Sequence, residues 1–576
     1  VTGGALHDLP LPERIGRRRC GNPVSSGASP VSRQAMALLS PYQGKRVLII
    51  DDVPAMRNSI RGQVISLGID QVNLAADDRR ALELLQSSRF DIILCDYYLG
   101  GGTDGQQFLD YLRTRRIISR AALFVMITAE KRYASVIAAA ECMPDDYLLK
   151  PFTAETLRSR LDRLLERKLR LARIDQLHDQ GRWSEILPLC DEIIAARDKF
   201  QIDAMRVKGN ALIMTGRFDQ AIGFYRQALQ MRSMPWAKLG LAKAYLGTGD
   251  REQAKRTLTD LVAETPRFLA AYDALGRLHR DAGEVGEALD ILDRACELSP
   301  TSLARHRAIA ACAEDVGDFG RVERAMNTVL QQTRGTPLRD VDDYARLGNA
   351  WTELGDAGKA IALITEARTS FKEASETPFL AAVEAVAQHQ AGNVELAQQA
   401  LARAMQGSAP TMPETVKLAV AKACLVQGRN DAAERMLKDV LQNNPANTLL
   451  HSGISRMMQR HGDAARAESL IRSSSAEVIK INDDAVRKGQ AGDFATASAM
   501  LRAAAERLPG NLQIVANAAY ALFLDVFMNG VDGAKLRDAR RFQQMLLAGD
   551  RRHPKLPEIA EIAAKVQQKF NLPAVS

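Results

Sequence analysis

The segment IILCDYYLGGGTDG, residues 92–105, decides how the first part of this 576-residue chain is read. Four apolar residues, Ile92 to Cys95, run into an acid, Asp96, then into two tyrosines and a glycine-rich stretch. A buried strand surfacing into a turn accounts for the pattern, since Asp and Gly are common turn residues. A strand of a parallel sheet that delivers a carboxylate to its carboxyl end accounts for it equally well. There the acid can act as a nucleophile for phosphoryl groups, and the choice rests on the partners such a nucleophile needs.

Those partners lie on neighbouring runs. Between Lys45 and about Glu166 the apolar runs are VLIID (47–51), VNLAA (72–76), IILCD (92–96), LFVMIT (123–128) and YLLK (147–150). Helix-like stretches fall between them near 54–67, 78–88, 104–115 and 132–140. Alternating strands and helices imply a parallel sheet covered on both faces, and such sheets bind ligands beyond the carboxyl ends of their strands. Four runs end in polar chemistry: Asp51 and Asp52, Asp96, Thr128, and Lys150 before Pro151. Three carboxylates in one cleft repel one another unless a cation intervenes. A hard divalent ion with oxygen ligands, Mg²⁺, suits them and leaves room for water and phosphate. Asp96 then attacks, Lys150 and the metal neutralise the equatorial oxygens, and the Thr128 hydroxyl bonds one of them.

This constellation resembles the receiver domain of bacterial two-component response regulators. The resemblance implies an α/β doubly wound, five-stranded parallel sheet over residues 44–166. It makes Asp96 the phosphoacceptor, and Asp51, Asp52 and Asp96 with the Tyr98 backbone carbonyl the Mg²⁺ ligands. It makes Thr128 the switch hydroxyl, Lys150 the phosphate-binding lysine and Tyr147 the aromatic that reports the switch. It also implies a cis Lys150–Pro151 bond and places Tyr98 and Glu130 where family members tune dephosphorylation. A bulky Tyr98 is expected to hinder attacking water and slow the loss of the phosphoryl group. The loop LGGGTDG departs from the family pattern: Gly100 stands where a proline is usual, and the loop is one residue longer.

Beyond residue 170 the pattern is helical and repetitive. Turn glycines at 181, 216, 249, 283, 317, 355, 392, 428, 462 and 492 are each followed by a small apolar residue, as in GRFDQA, GDREQA and GEVGEA. Their spacing clusters near 34, the tetratricopeptide period. Pro266, Pro300, Pro445 and Pro509 follow four of them by seventeen residues, where a second helix must stop. The segment resembles a tetratricopeptide array of about ten helix pairs over 167–510, an all-α solenoid, with insertions near 333–345, 370–380 and 406–415. Residues 511–576 read as a C-terminal helical cap. Gly209, Gly276 and Gly348 sit where helices cross too closely for a side chain. Arg206 and Asn210 match the start of a peptide-carboxylate clamp, but Gly240 and Ala274 do not continue it. Residues 154–180 lack Gly and Pro and predict one helix joining the sheet domain to the array.

Composition excludes other classes. The formal charge of +8 is thinly spread, and no basic stripe suited to a phosphate backbone appears. No apolar run approaches the ~18 residues of a membrane span, so a cytoplasmic protein without a span is expected. Seven scattered cysteines and eight dispersed histidines give no disulfide framework or zinc pattern. Residues 1–43 read as a disordered tail, and Met36 is the first methionine, a candidate start.

The sequence thus predicts a phosphorylation-controlled response regulator, written on by a sensor histidine kinase or phosphotransfer protein and read by a protein bound to the array. It is an enzyme only in transferring and losing its own phosphoryl group. The rival readings are a constitutive scaffold with a vestigial receiver and a nucleic-acid-binding transcriptional regulator.

Overall fold

The computed structural model of the chain describes residues 41–100, 103–129, 144–371, 377–406, 412–461, 464–551 and 553–571. Glu130, the expected 132–140 helix and the first forty residues lie outside this set. Pro41–Gly44 form a turn at the end of the stretch read as tail. Tyr42 is buried there, and its hydroxyl donates to the Arg158 carbonyl and the Asp162 carboxylate.

Five short strands form the sheet: β1 (Arg46–Ile50), β2 (Gln71–Ala75), β3 (Ile92–Asp96), β4 (Leu123–Thr128) and β5 (Asp146–Leu149). They are all parallel in the order β2-β1-β3-β4-β5. Each central strand is apolar at nearly every position because both faces are covered. Alternation sends Val47, Ile49, Ile92, Leu94, Val125 and Ile127 to one core, and Leu48, Ile50, Ile93, Cys95, Phe124 and Met126 to the other. The described helices of this domain are α1 (Pro54–Ser66), α2 (Asp78–Ser87), α3 (Gly105–Thr114) and the start of α4 (Ala154–Asp179). Because the strands are parallel, their polar carboxyl ends emerge on one edge.

α4 is one continuous helix of 26 residues, capped by the Thr153 hydroxyl. Its first half buries Leu157, Leu161, Leu164 and Leu165 against the sheet, and its second half buries Leu171, Ile174 and Leu177 in the array. Lys168 and Arg167 tie its middle back to Asp145, at 3.0 and 3.2 Å.

Antiparallel helix pairs follow, from Trp183–Ala195 to Leu556–Phe570. Of the ten turn glycines read from the sequence, nine lie in the described residues and have positive φ, which side chains with a Cβ resist. Helices 251–264, 285–298, 430–443 and 494–507 stop before the four prolines. Among the described residues the repeat breaks at Ala464–Gln490, a single helix of 27 residues where a pair boundary was expected. No Pro or Gly interrupts its middle, so nothing stops the helix there.

One expectation needs correction. Helix Leu512–Asn529 is long and apolar enough to cross a membrane, with a mean hydropathy of 1.3. Ile514, Val515, Leu522, Phe523 and Val526 bury against the neighbouring helices. Its Asp525 is fully buried, with Lys535 at 2.8 Å and the Ser498 hydroxyl donating at 2.6 Å.

Candidate functional site

Three acids meet at the carboxyl edge of the sheet. β1 ends just before Asp51 and Asp52, and β3 ends in Asp96. One carboxylate oxygen from each lies within 4.8 Å of the others. Asp51 is fully buried, Asp96 is 7% exposed and Asp52 faces solvent. Asp51 accepts from the Val53 amide at 2.9 Å, and Asp96 accepts from the Tyr97 amide at 2.8 Å, which fixes both carboxylates.

Lys150 follows β5, its peptide to Pro151 is cis, and its Nζ donates to Asp51 Oδ2 and Asp96 Oδ2, both at 2.8 Å. Burial pushes the Asp96 carboxyl above its ordinary value, more than Lys150 pulls it down. Burial works against the Lys150 charge, but the two carboxylates outweigh it and hold its pKa above that of a free lysine.

Thr128 ends β4 beside Asp96, buried, and its carbonyl accepts from the Lys150 amide at 2.8 Å. Tyr147 lies on β5, and its buried hydroxyl has no hydrogen-bond partner among the described residues. Burial, with help from Asp110, pushes that phenol upward. Tyr98 is 49% exposed and meets Tyr97 edge-on, with ring centroids 5.1 Å apart. The edge therefore brings Asp51, Asp52, Asp96 and Lys150 into one cluster, with Thr128 on the adjoining strand. Glu130 lies outside the described residues.

The oxygen donors suit Mg²⁺. Three carboxylates against one ammonium leave two negative charges, the charge that one divalent cation cancels. Asp51, Asp52 and Asp96 would hold it.

Two features escaped the sequence reading. Gly100 has a φ of +70°, which proline cannot adopt and other side chains adopt only with strain, and a Cβ there would lie 2.9 Å from Asp52 Oδ2. A Cβ on Gly105 would fall 2.5 Å from the Asp96 carbonyl. The second feature is a capping box opening α3. The Asp104 carboxylate accepts from the Gln107 amide at 2.8 Å, and the Gln107 side chain accepts from the Asp104 amide at 3.0 Å. The D-x-x-Q spacing carried that signal. Asp104 is also buried, which pushes its carboxyl upward, and it accepts from Thr301 Oγ1 of the array at 2.8 Å.

With this geometry in place, the comparisons with known proteins agree. Residues 47–162 match the family model of the response regulator receiver domain, and residues 212–278 match a tetratricopeptide repeat. The chemotaxis protein CheY-3 of Vibrio cholerae is 33% identical over 122 residues, 21% of this chain and 92% of that protein. CheY of Pseudomonas aeruginosa is 33% identical over 124 residues, 21% of this chain and 97% of that protein. Among solved structures, the V. cholerae chemotaxis response regulator CheY4 is 28% identical at a TM-score of 0.19, covering 21% of this chain and 98% of that one. A tetratricopeptide repeat protein from Parabacteroides merdae is 17% identical at a TM-score of 0.29, covering 44% of this chain and 96% of that one. The chain belongs to the response regulators, with a receiver domain followed by tetratricopeptide repeats.

Proposed function

We propose that Asp96 accepts a phosphoryl group and that the repeat array is the output, presenting a protein-binding surface whose state depends on that group. The observation that carries this reading is the Lys150 ammonium bridging Asp51 and Asp96 at 2.8 Å inside a three-carboxylate cluster. A structural ion pair needs one acid; this cluster gathers a surplus of charge beside a buried carboxylate, and such surpluses mark functional sites.

An Asp96 oxygen forms the new bond to phosphorus. The donor's P–N bond (a phosphohistidine) or P–O bond (acetyl phosphate) breaks, and its electron pair leaves with the imidazole, which takes a proton, or with acetate. Lys150 passes from the Asp96 carboxylate to the phosphoryl oxygens, and the Thr128 hydroxyl donates to one of them. Bound Mg²⁺ would supply the remaining charge neutralisation. Tyr147 follows Thr128 as the switch, and Tyr98 screens the acyl phosphate from water. The writer is a sensor histidine kinase or a phosphotransfer protein in the cytoplasm, and the reader is a protein partner on the array.

Intact mass after incubation with acetyl phosphate and Mg²⁺ tests this. One added phosphoryl group on the wild type and none on Asp96→Ala is the expected result. No addition to either refutes it and leaves a scaffold with a silent receiver.

A further inference from the structure

The α3 capping box does two jobs with the same side chains. Asp104 and Gln107 cap each other at the helix start, and both also reach the array. Thr301 Oγ1 donates to Asp104 Oδ2 at 2.8 Å, and Gln107 Nε2 donates to the Thr301 carbonyl and to Gln332 Oε1, the latter at 3.0 Å. Thr301 lies in the turn between helices 285–298 and 303–316, and Gln332 lies in the last turn of helix 319–333. Two flanking contacts widen the seam: Arg79, at the start of α2, donates to the Gly335 carbonyl at 2.5 Å, and Arg115, just past α3, lies 3.8 Å from Asp340. Beneath them one continuous apolar cluster includes Phe108 and Leu109 of α3 with Leu303, Val329 and Leu338 of the array.

The same box is wired to the phosphoacceptor. The Asp96 carboxylate accepts from the Tyr97 amide at 2.8 Å. The Tyr97 carbonyl accepts from the Gly105 amide at 2.7 Å, and the Tyr97 hydroxyl donates to Asp104 at 3.3 Å. One residue therefore touches both the acceptor carboxylate and the carboxylate that seats the array.

We propose that the receiver seats on repeats 299–340 through Asp104 and Gln107, and that a phosphoryl group on Asp96 loosens this seat. The inference rests on Asp96 being the phosphoacceptor. The acyl phosphate carries about 1.5–2 negative charges in place of the single charge of the ionised Asp96 carboxylate, and Tyr97 links that site to Asp104, a buried carboxylate that accepts from the Thr301 hydroxyl, the Tyr97 hydroxyl and the Gln107 amide. Added repulsion weakens what this carboxylate does for the array before it disturbs the sheet, whose β1, β3 and β4 are each paired on both sides. The route differs from mechanical transmission along α4, because it crosses directly from the loop after β3 to the repeats. Two sites that bias one seam bias each other equally in binding free energy.

The test uses the full chain. Intact mass after acetyl phosphate and Mg²⁺ reports the adduct, and amide hydrogen exchange on the same sample reports peptides covering 299–304 and 332–340. The expected result is about fivefold or greater acceleration of exchange in those peptides on phosphorylation. Reciprocally, Thr301→Val and Gln332→Ala should each tighten the equilibrium binding of beryllofluoride with Mg²⁺, read by ¹⁹F NMR, by about fivefold for the stronger variant. A variant that merely destabilises the fold does not tighten a ligand at Asp96. An adduct with unchanged seam exchange, or with changes confined to 154–179, overturns this inference and leaves the proposed function standing. Unchanged or weaker beryllofluoride binding in both variants overturns it as well. No adduct in the wild type overturns both readings together.

Discussion

Replacing Lys150 with methionine keeps the length of the side chain and removes its charge. In the wild type the ammonium satisfies two buried carboxylates at 2.8 Å each, and its own side chain is only 15% exposed. Breaking a buried ion pair by deleting one partner costs about 3–5 kcal/mol, because the other charge is left buried and unpaired. Here two acids lose the partner and a third, Asp52, stands within 4.8 Å of both. The lower figure of about 3 kcal/mol is therefore the conservative expectation, and at ~1.4 kcal/mol per tenfold it corresponds to roughly a hundredfold. The assay is hydrogen exchange of β1 and β3 amides in the full chain, without divalent cations at neutral pH, where Lys150→Met should exchange about a hundredfold faster. Adding Mg²⁺ should restore more protection to the variant than to the wild type, since the metal replaces the missing positive charge. Lowering the pH should also restore protection, because crowded carboxylates take up protons more readily and so shed their repulsion. A loss of less than about fivefold with no response to Mg²⁺ would refute the reasoning, for the carboxylates would then not be competing for one cation.

Three other outcomes follow from the geometry. Burial raises the pKa of Asp96 in the metal-free site, so without divalent cations its carboxyl should titrate above the ordinary aspartate range in carbon NMR, and Mg²⁺ should draw that titration back down; a metal-free titration at an unperturbed aspartate's pKa would contradict this. A Cβ on Gly240 would lie 2.2 Å from Tyr225 Cζ, so Gly240→Ala should lower array stability by about 1–3 kcal/mol in thermal melts followed by circular dichroism. Adding Tyr225→Leu should recover part of that loss, and no change in the single variant would show that the helices part freely. Tyr98, half exposed beside the acceptor, should slow hydrolysis, so Tyr98→Asn should shorten the half-life of the acyl phosphate; an unchanged half-life removes that role from the tyrosine.

The sequence by itself determined the parallel sheet and the placing of its chemistry. An apolar run that ends in Asp96 has one periodicity and one polarity, and five such runs separated by helices leave a single sheet edge for their ends. The tetratricopeptide period was equally plain, since the turn glycines recur at positions where a Cβ is penalised by the backbone alone. The continuous helix α4 was legible for the same local reason, the absence of any residue that stops a helix. Local rules also misled where several weak signals had to be weighed: the missing stop near the middle of Ala464–Gln490 went unnoticed beneath the repeat pattern. Helix Leu512–Asn529 was read as part of the C-terminal helical cap, and its membrane-like apolarity went unremarked.

Tertiary structure alone decided what lies far apart in the chain. Gly100 could not be explained by its loop, because the reason is the carboxylate of Asp52 waiting 2.9 Å from any Cβ placed there. Gly240 looked like a missing clamp residue until Tyr225 was found filling its place. The pairing of Asp104 with Thr301 joins residues 197 positions apart, and nothing in either segment points to the other. Spacing and composition report forces that act between neighbours in sequence. Contacts across such a separation depend on how the packed helices bring one turn against the sheet domain, a property of the folded surface that no local pattern encodes.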